Sequence, residues 1–247
     1  MDAYEIKKIG KVIKGNSYVG RGIVIGKTAD NSKAASAYFI MGRSENSRNR
    51  IFVEEDRDVM IKPFDEAKVE DPSLIIYYPM RHLTDKLIVT NGDQTDTIFR
   101  FIDNGDTFEE ALRSRRFEPD SPNWTPRISG IIDFDDAFLD RSTKGDFSYI
   151  MSILKSADSK GTDCNRFFFE YESKRGVGHF IHTYMEDGNP LPTFTGEPIR
   201  VEIPNDIDEL TNDIWNNLDK DNKISLYVRY IDLETGEETN RLINKNK

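Results

Sequence analysis

Strand-like and helix-like runs occupy separate stretches of this chain, and that segregation narrows its fold more than any other feature. Runs rich in β-branched and aromatic residues at 21–27 (RGIVIGK) and 34–41 (AASAYFIM) flank the turn-forming TADNSK and read as a hairpin. LIIYY at 74–78 and KLIVT at 86–90 read as further strands, joined by a polar link holding Arg81, His82 and Asp85. Beyond Trp124, strands are expected at 127–134, 147–154, 165–172, 178–185, 198–203 and 224–232, the last closing on an ETGE turn at 234–237. Helical signals come in two clusters. One spans 93–103, with Ile98, Phe99 and Ile102 on one face and Asn104-Gly105 as its stop. A capping-box start follows at Thr107 and Glu110, carrying Phe108, Ala111 and Leu112. The other cluster, 206–218, repeats Ile207, Leu210, Ile214 and Leu218 at intervals of three or four. Alternating strands and helices would imply a parallel sheet; blocks of each imply an α+β fold with a sheet-on-sheet core. No repeat or low-complexity linker divides the 247 residues, so one domain over 1–247 is expected.

Charge and cysteine content exclude several function classes. The chain carries 34 Lys+Arg against 44 Asp+Glu, a net charge of −10, with charged residues at 32% against a typical ~25%. That balance disfavours nucleic-acid partners, whose phosphates are neutralised by Lys and Arg. The single cysteine, Cys164, excludes an internal disulfide framework and a Cys-rich zinc module. No run approaches the ~20 apolar residues of a membrane span. The first residues, MDAYEIKKIGKVIKG, lack the apolar core of a secretory signal, so a cytoplasmic location away from membranes is expected.

Any anionic ligand must then be met by a local basic island. The densest one is GRSENSRNR at 42–50, with Arg43, Arg48 and Arg50 against Glu45, placed directly after an apolar strand. Guanidinium forks suit phosphate or carboxylate. The alternative is a solvated charged turn neutralised by Glu54, Glu55 and Asp56. TNGDQTDTI at 90–98 joins a strand to a helix, where an Asn91-Gly92 bend and free amides could hold polar ligand atoms. Asp93 there reads more simply as a helix cap. FEPDSPNWTPRI at 117–128 is a stiff loop offering Glu118 and Arg127, although a carboxylate in such a loop is commonly just exposed. Gly20-x-Gly22 precedes a strand instead of following one, which argues against a dinucleotide fingerprint. His179 and His182 fall on opposite faces of one strand, so no zinc site is expected.

Taken in order, YVGRGIVIG (18–26), AYFIMGRSENSRNR (37–50), IIYYPMR (75–81), TNGDQTDTI and NWTPRI (123–128) resemble the stand-alone IMP cyclohydrolase family known from archaea. The resemblance covers about residues 18–130. It implies a four-layer αββα sandwich like that of the N-terminal-nucleophile hydrolases. The activity it implies is closure of 5-formamidoimidazole-4-carboxamide ribonucleotide to IMP with loss of water, with no metal, folate or other cofactor. Members begin almost at the Tyr-x-Gly-Arg strand, so residues 1–17 read as an N-terminal extension.

On this resemblance Arg48 and Tyr77 hold the formyl oxygen and Glu118 orients or deprotonates the carboxamide. Arg21, Arg43 and Arg127 are candidates for the phosphate, and Asn91 and Gly92 for base or ribose. Family analogy alone points to a homo-oligomer. Two rivals stand beside the enzyme: a non-catalytic purine-nucleotide-binding relative, and an amidohydrolase with a processed N-terminal nucleophile, which requires chain cleavage.

Overall fold

A computed structural model describes residues 4–69, 76–134 and 146–246. Its strands begin with β1 (Arg21–Lys27), β2 (Lys33–Met41), β3 (Ile51–Glu55), β4 (Asp58–Lys62), β5 (Met80–Leu83) and β6 (Lys86–Thr90). They continue with β7 (Arg127–Asp133), β8 (Ser148–Ser156), β9 (Cys164–Glu172), β10 (Val177–His182), β11 (Ile199–Glu202), β12 (Lys223–Asp232) and β13 (Glu238–Asn244). The α-helices are α1 (Ile9–Ile13), α2 (Glu45–Arg48), α3 (Gln94–Asp103), α4 (Phe108–Arg113) and α5 (Ile207–Asn217). Two antiparallel sheets result, ordered β11-β10-β1-β2-β12-β13 and β3-β4-β5-β6-β7-β8-β9. The α+β reading therefore holds.

Three clusters of buried side chains fix the layers. Between the sheets lie Ile23, Ile25, Tyr38, Phe52, Val89, Ile128, Met151 and Tyr227. Behind the first sheet, Ile9 and Ile13 of α1 and Ile207, Leu210 and Ile214 of α5 pack on Val24, Phe39, Leu226 and Val228. Behind the second, Ile98 of α3 and Phe108, Ala111 and Leu112 of α4 pack on Ile88, Ile131 and Leu154. With helices behind and a sheet in front, both faces of β1 are covered. Its sequence is accordingly a continuous apolar run, with Ile23 and Ile25 facing one way and Val24 the other.

The structure departs from the sequence reading in several strands. Leu74 and Ile75 of the expected strand lie outside the described residues, and 76–78 is not strand; pairing resumes at β5. The presumed polar link is that strand, because its charges find partners. Arg81 pairs with Asp58 and Asp96 and covers the Phe99 ring, 3.9 Å from its centroid. The β3–β4 hairpin was not foreseen: IFVEEDRDVMIK interleaves buried Phe52, Val59 and Ile61 with acids that serve tertiary contacts. Residues 4–17, within the stretch read as an N-terminal extension, pack against the rest of the chain. Lys7 bridges to Val201, and the Gly10 amide donates to Asp213 on α5 at 2.8 Å. Past α1, Asn16 donates to the Met185 carbonyl and its side-chain oxygen accepts from the Tyr18 amide. The acidic stretch around 133–160 lies partly outside the described residues.

One polar network ties the sheets together at an end of the sandwich. Arg229 of β12 is 1% exposed and donates to the Arg57 carbonyl (2.7 Å) and the Tyr227 hydroxyl (2.7 Å), and lies 3.1 Å from Glu238. Glu238 also meets His82 at 3.1 Å and pairs with Arg57. Burial opposes the Glu238 charge, but His82, Arg229 and Arg57 outweigh it and hold the pKa down at about 2. A folded pKa below the unfolded one contributes stability above the ordinary carboxylate range that is lost as pH falls toward 2. Glu238→Gln should therefore cost about 2–3 kcal/mol at neutral pH and almost nothing near pH 2, measured by urea melts at both.

Candidate active site

A cleft of about 670 Å³ opens where the ends of β1, β2, β6 and β7 meet the loops that follow β2, β6 and β10 and those that precede β5 and β7. Gly20, at φ +78°, turns the chain into β1 and delivers Arg21 to the cleft; a Cβ at Gly20 would lie 2.1 Å from the Thr183 hydroxyl. From the far end of β2 comes the arginine-rich loop, and its conformation decides which arginine faces inward. Ser44 caps α2 reciprocally with Ser47, at 3.1 Å from the Ser47 amide and 3.0 Å in return. That single helical turn swings Arg48 outward, where it donates to the Gly42 carbonyl (3.1 Å) and the Asn222 side chain (2.9 Å). Asn49 then pins the chain by exchanging hydrogen bonds with the Asp65 backbone. Arg50 emerges into the cleft, 8% exposed. Arg48, expected to act on substrate, is not among the cleft-lining residues, whereas Arg50 is.

The remaining expected residues, Arg21, Arg43, Tyr77, Asn91, Gly92, Glu118 and Arg127, all line the cleft. Tyr77 precedes β5, held by its carbonyl accepting from the Ile61 amide at 3.0 Å, and its hydroxyl lies 2.9 Å from that of Tyr38. Glu118 is fixed by its loop: its amide donates to the Thr125 carbonyl, while Asp120 accepts from the Thr125 amide and hydroxyl. A Cβ at Gly92 would sit 2.6 Å from both the Arg127 guanidinium and Gln94 Oε1, so a side chain there would push those two tips aside. Asn91 serves the cleft wall, its side chain donating to the Pro126 carbonyl and accepting from the Ile128 amide and Gln94. Asp93 makes no side-chain cap to α3, contrary to expectation. It pairs instead with Arg115 and, at 2.6 Å, with Arg127, whose other anchor is Gln94 at 2.6 Å. At the mouth, Arg43 reaches Asp187 and the Gly188 carbonyl and covers the Tyr18 ring.

Electrostatics bind the inner groups into one unit. Burial pushes the Glu118 carboxyl above the ordinary range, opposed by Arg21 and Arg127. Burial and neighbouring Arg21 lower Arg50. Burial also works against the Arg21 charge, but Tyr18, Glu118, Tyr184 and Tyr77 raise its pKa overall. Tyr77 is raised by burial and stays a protonated phenol at neutral pH, against the pull of Arg21 and Arg50. The Nε atoms of Arg21, Arg50 and Arg127 are buried without a hydrogen-bond partner among the described residues. Three arginines with buried, unpartnered Nε donors, one phenol and one carboxyl therefore line a shared space. Among the described residues no group of three or more His, Cys, Asp or Glu side chains is placed to hold a metal ion. His179 and His182 point apart, to the Tyr149 hydroxyl and the Tyr184 carbonyl. Sequence reading missed Arg50's place, Tyr18, Tyr184 and Gln94; a Ser-x-x-Ser cap at 44–47 was the available signal for the turn that separates Arg48 from Arg50.

Comparison with known proteins gives the family. A family model described as IMP cyclohydrolase-like protein matches residues 18–237. A protein named IMP cyclohydrolase from Methanocella arvoryzae is 34% identical over 131 residues, covering 51% of this chain and 63% of that relative. The protein of that name from Methanopyrus kandleri is 33% identical, covering 58% of this chain and 72% of its own length. One from Methanococcus maripaludis is 33% identical over 194 residues, 72% of this chain and 94% of the relative. By the span of the family match and the likeness to these relatives, this chain belongs to the IMP cyclohydrolase-like family.

Proposed function

We propose that the protein is an IMP cyclohydrolase, closing 5-formamidoimidazole-4-carboxamide ribonucleotide to IMP in purine biosynthesis. The observation that carries this reading is the convergence of Arg21, Arg50, Tyr77 and Glu118 on one cleft in a chain of that family. In the reaction the carboxamide nitrogen attacks the formyl carbon and a C–N bond forms. The formyl oxygen then leaves as water, taking one proton that began on the carboxamide nitrogen and one from the formamido N–H. No electrons are exchanged with an outside partner.

A carboxamide is a poor nucleophile, so holding the two arms in contact supplies much of the acceleration, worth up to ~7–11 kcal/mol for well-oriented intramolecular reactions. Glu118, as carboxylate, accepts from the carboxamide N–H. Arg50 and Arg21 stabilise charge growing on the formyl oxygen, and Tyr77 donates its proton as that oxygen departs. Arg43 and Arg127 are the cations left for the phosphate. The two-sheet, helix-backed layering is read as N-terminal-nucleophile-hydrolase-like, in one domain, with a purine nucleotide as substrate and the cytoplasm as its place of work. Incubation with the formamido substrate while following IMP absorbance tests the assignment. Turnover supports it, whereas tight IMP binding without turnover would make the protein a non-catalytic nucleotide binder.

A further inference from the structure

Tyr38 is nowhere in the cleft, yet it governs one of the groups that is. It lies on β2 with its side chain fully enclosed between the sheets, its ring stacked on Phe52 at 5.6 Å between centroids and paired in register with Tyr227. Its hydroxyl lies 2.9 Å from the hydroxyl of Tyr77, and among the described residues each hydroxyl has the other as its hydrogen-bond partner. Two phenols that share one hydrogen bond leave one O–H over. The two possible assignments are not equivalent here. If Tyr77 donated, the Tyr38 proton would be buried with no acceptor, and an unmade buried donor carries its full desolvation cost. If Tyr38 donates, the proton left over belongs to Tyr77, which lines the cleft and can give it to a ligand. The enclosure of Tyr38 therefore selects the direction of the bond.

We propose that Tyr38 is a positioning residue whose buried hydroxyl donates to Tyr77 and so fixes Tyr77 as the hydrogen-bond donor aimed at the departing oxygen of the substrate. The same bond assists proton release, because a donated hydrogen bond stabilises the phenolate that forms as Tyr77 gives up its proton. The inference rests on the proposed cyclohydrolase reading.

The test is Tyr38→Phe, which removes one oxygen and keeps the ring, assayed with the formamido substrate alongside wild type, Tyr77→Phe and the double variant. The kcat of Tyr38→Phe should fall by about 10- to 30-fold, as expected for one hydrogen bond in a buried network, with KM moved less than about twofold. In the Tyr77→Phe background the same change should cost less than about twofold, because the phenol it positions is gone. A structural role would lower kcat equally in both backgrounds and would overturn the proposal, as would wild-type kcat in Tyr38→Phe or in Tyr77→Phe. IMP, which has lost the formyl oxygen, should bind Tyr38→Phe as tightly as it binds wild type; a large loss of IMP affinity would mark a distorted cleft instead. A wild type with no turnover removes the cyclohydrolase reading and this inference together, whereas an active wild type with an unaffected Tyr38→Phe removes the inference alone.

Discussion

Arg50→Ala is expected to lower kcat by about 10²- to 10³-fold, the usual loss of one preorganised donor to a developing oxyanion, while Arg48→Ala should stay within about threefold of wild type. The two arginines stand two residues apart in one basic loop, so charge alone cannot separate them. Geometry does. Arg48 spends its donors on the Gly42 carbonyl and Asn222, outside the cleft. Arg50 is buried in the cleft wall with its Nε unpartnered, beside Arg21 and Tyr77. Steady-state kinetics of both variants decide the matter: equal losses would mean that the loop acts through its net charge, and the structural distinction would fall.

Glu118→Gln is expected to reduce kcat by about 10²- to 10⁴-fold, the range for removing a general base, and to flatten the acid side of the pH–rate profile. Burial holds the Glu118 carboxyl above its ordinary range. The acid limb of wild type should thus lie at higher pH than a free glutamate would give. The linkage to stability runs opposite to that of Glu238. A folded pKa above the unfolded one contributes stability that is complete below the unfolded value and is lost as pH rises through the folded value. Above that folded value, the buried Glu118 carboxylate of the ligand-free protein works against folding. Glu118→Gln should raise the melting temperature there by about 2–4 °C, the shift that ~1 kcal/mol gives in a domain this large, and leave it unchanged near pH 4. A variant that loses activity and also melts lower at neutral pH would show that Glu118 is a structural anchor.

Much of the fold could be read along the chain because both faces of each sheet are covered. Full coverage makes β1, β2 and β12 long apolar runs, and helices packed on one side each give α3 and α5 a clean apolar stripe. Where charges enter a strand, the pattern disappears. Glu54 and Glu55 looked like counter-charges for the arginine loop. In the structure Glu54 accepts from the Tyr227 hydroxyl, and Glu55 pairs with Lys62 and accepts from Tyr78. Those partners are remote in sequence or hidden in the strand pairing, so no local window could have announced β3 and β4. The site divides in the same way. Loop position pointed to Glu118 and Arg127, and the family resemblance to Arg21 and Tyr77; all four line the cleft. The choice between Arg48 and Arg50 depended on one capped helical turn, and a side chain's direction after such a turn is a three-dimensional fact.

The segment ahead of β1 gives the cleft a dependence that the shared part of the chain does not reveal. Ile9 and Ile13 buttress α5, and Asn16 then fastens the Tyr18 amide on one side and the Met185 carbonyl on the other. Tyr18 stacks on Tyr184 and lies beneath Arg43. Cutting the chain back to residue 18, where the family match begins, would strip the moorings from that aromatic pair and free the cation above it. A trimmed version would keep every inner group of the cleft while the doorframe came loose from the wall.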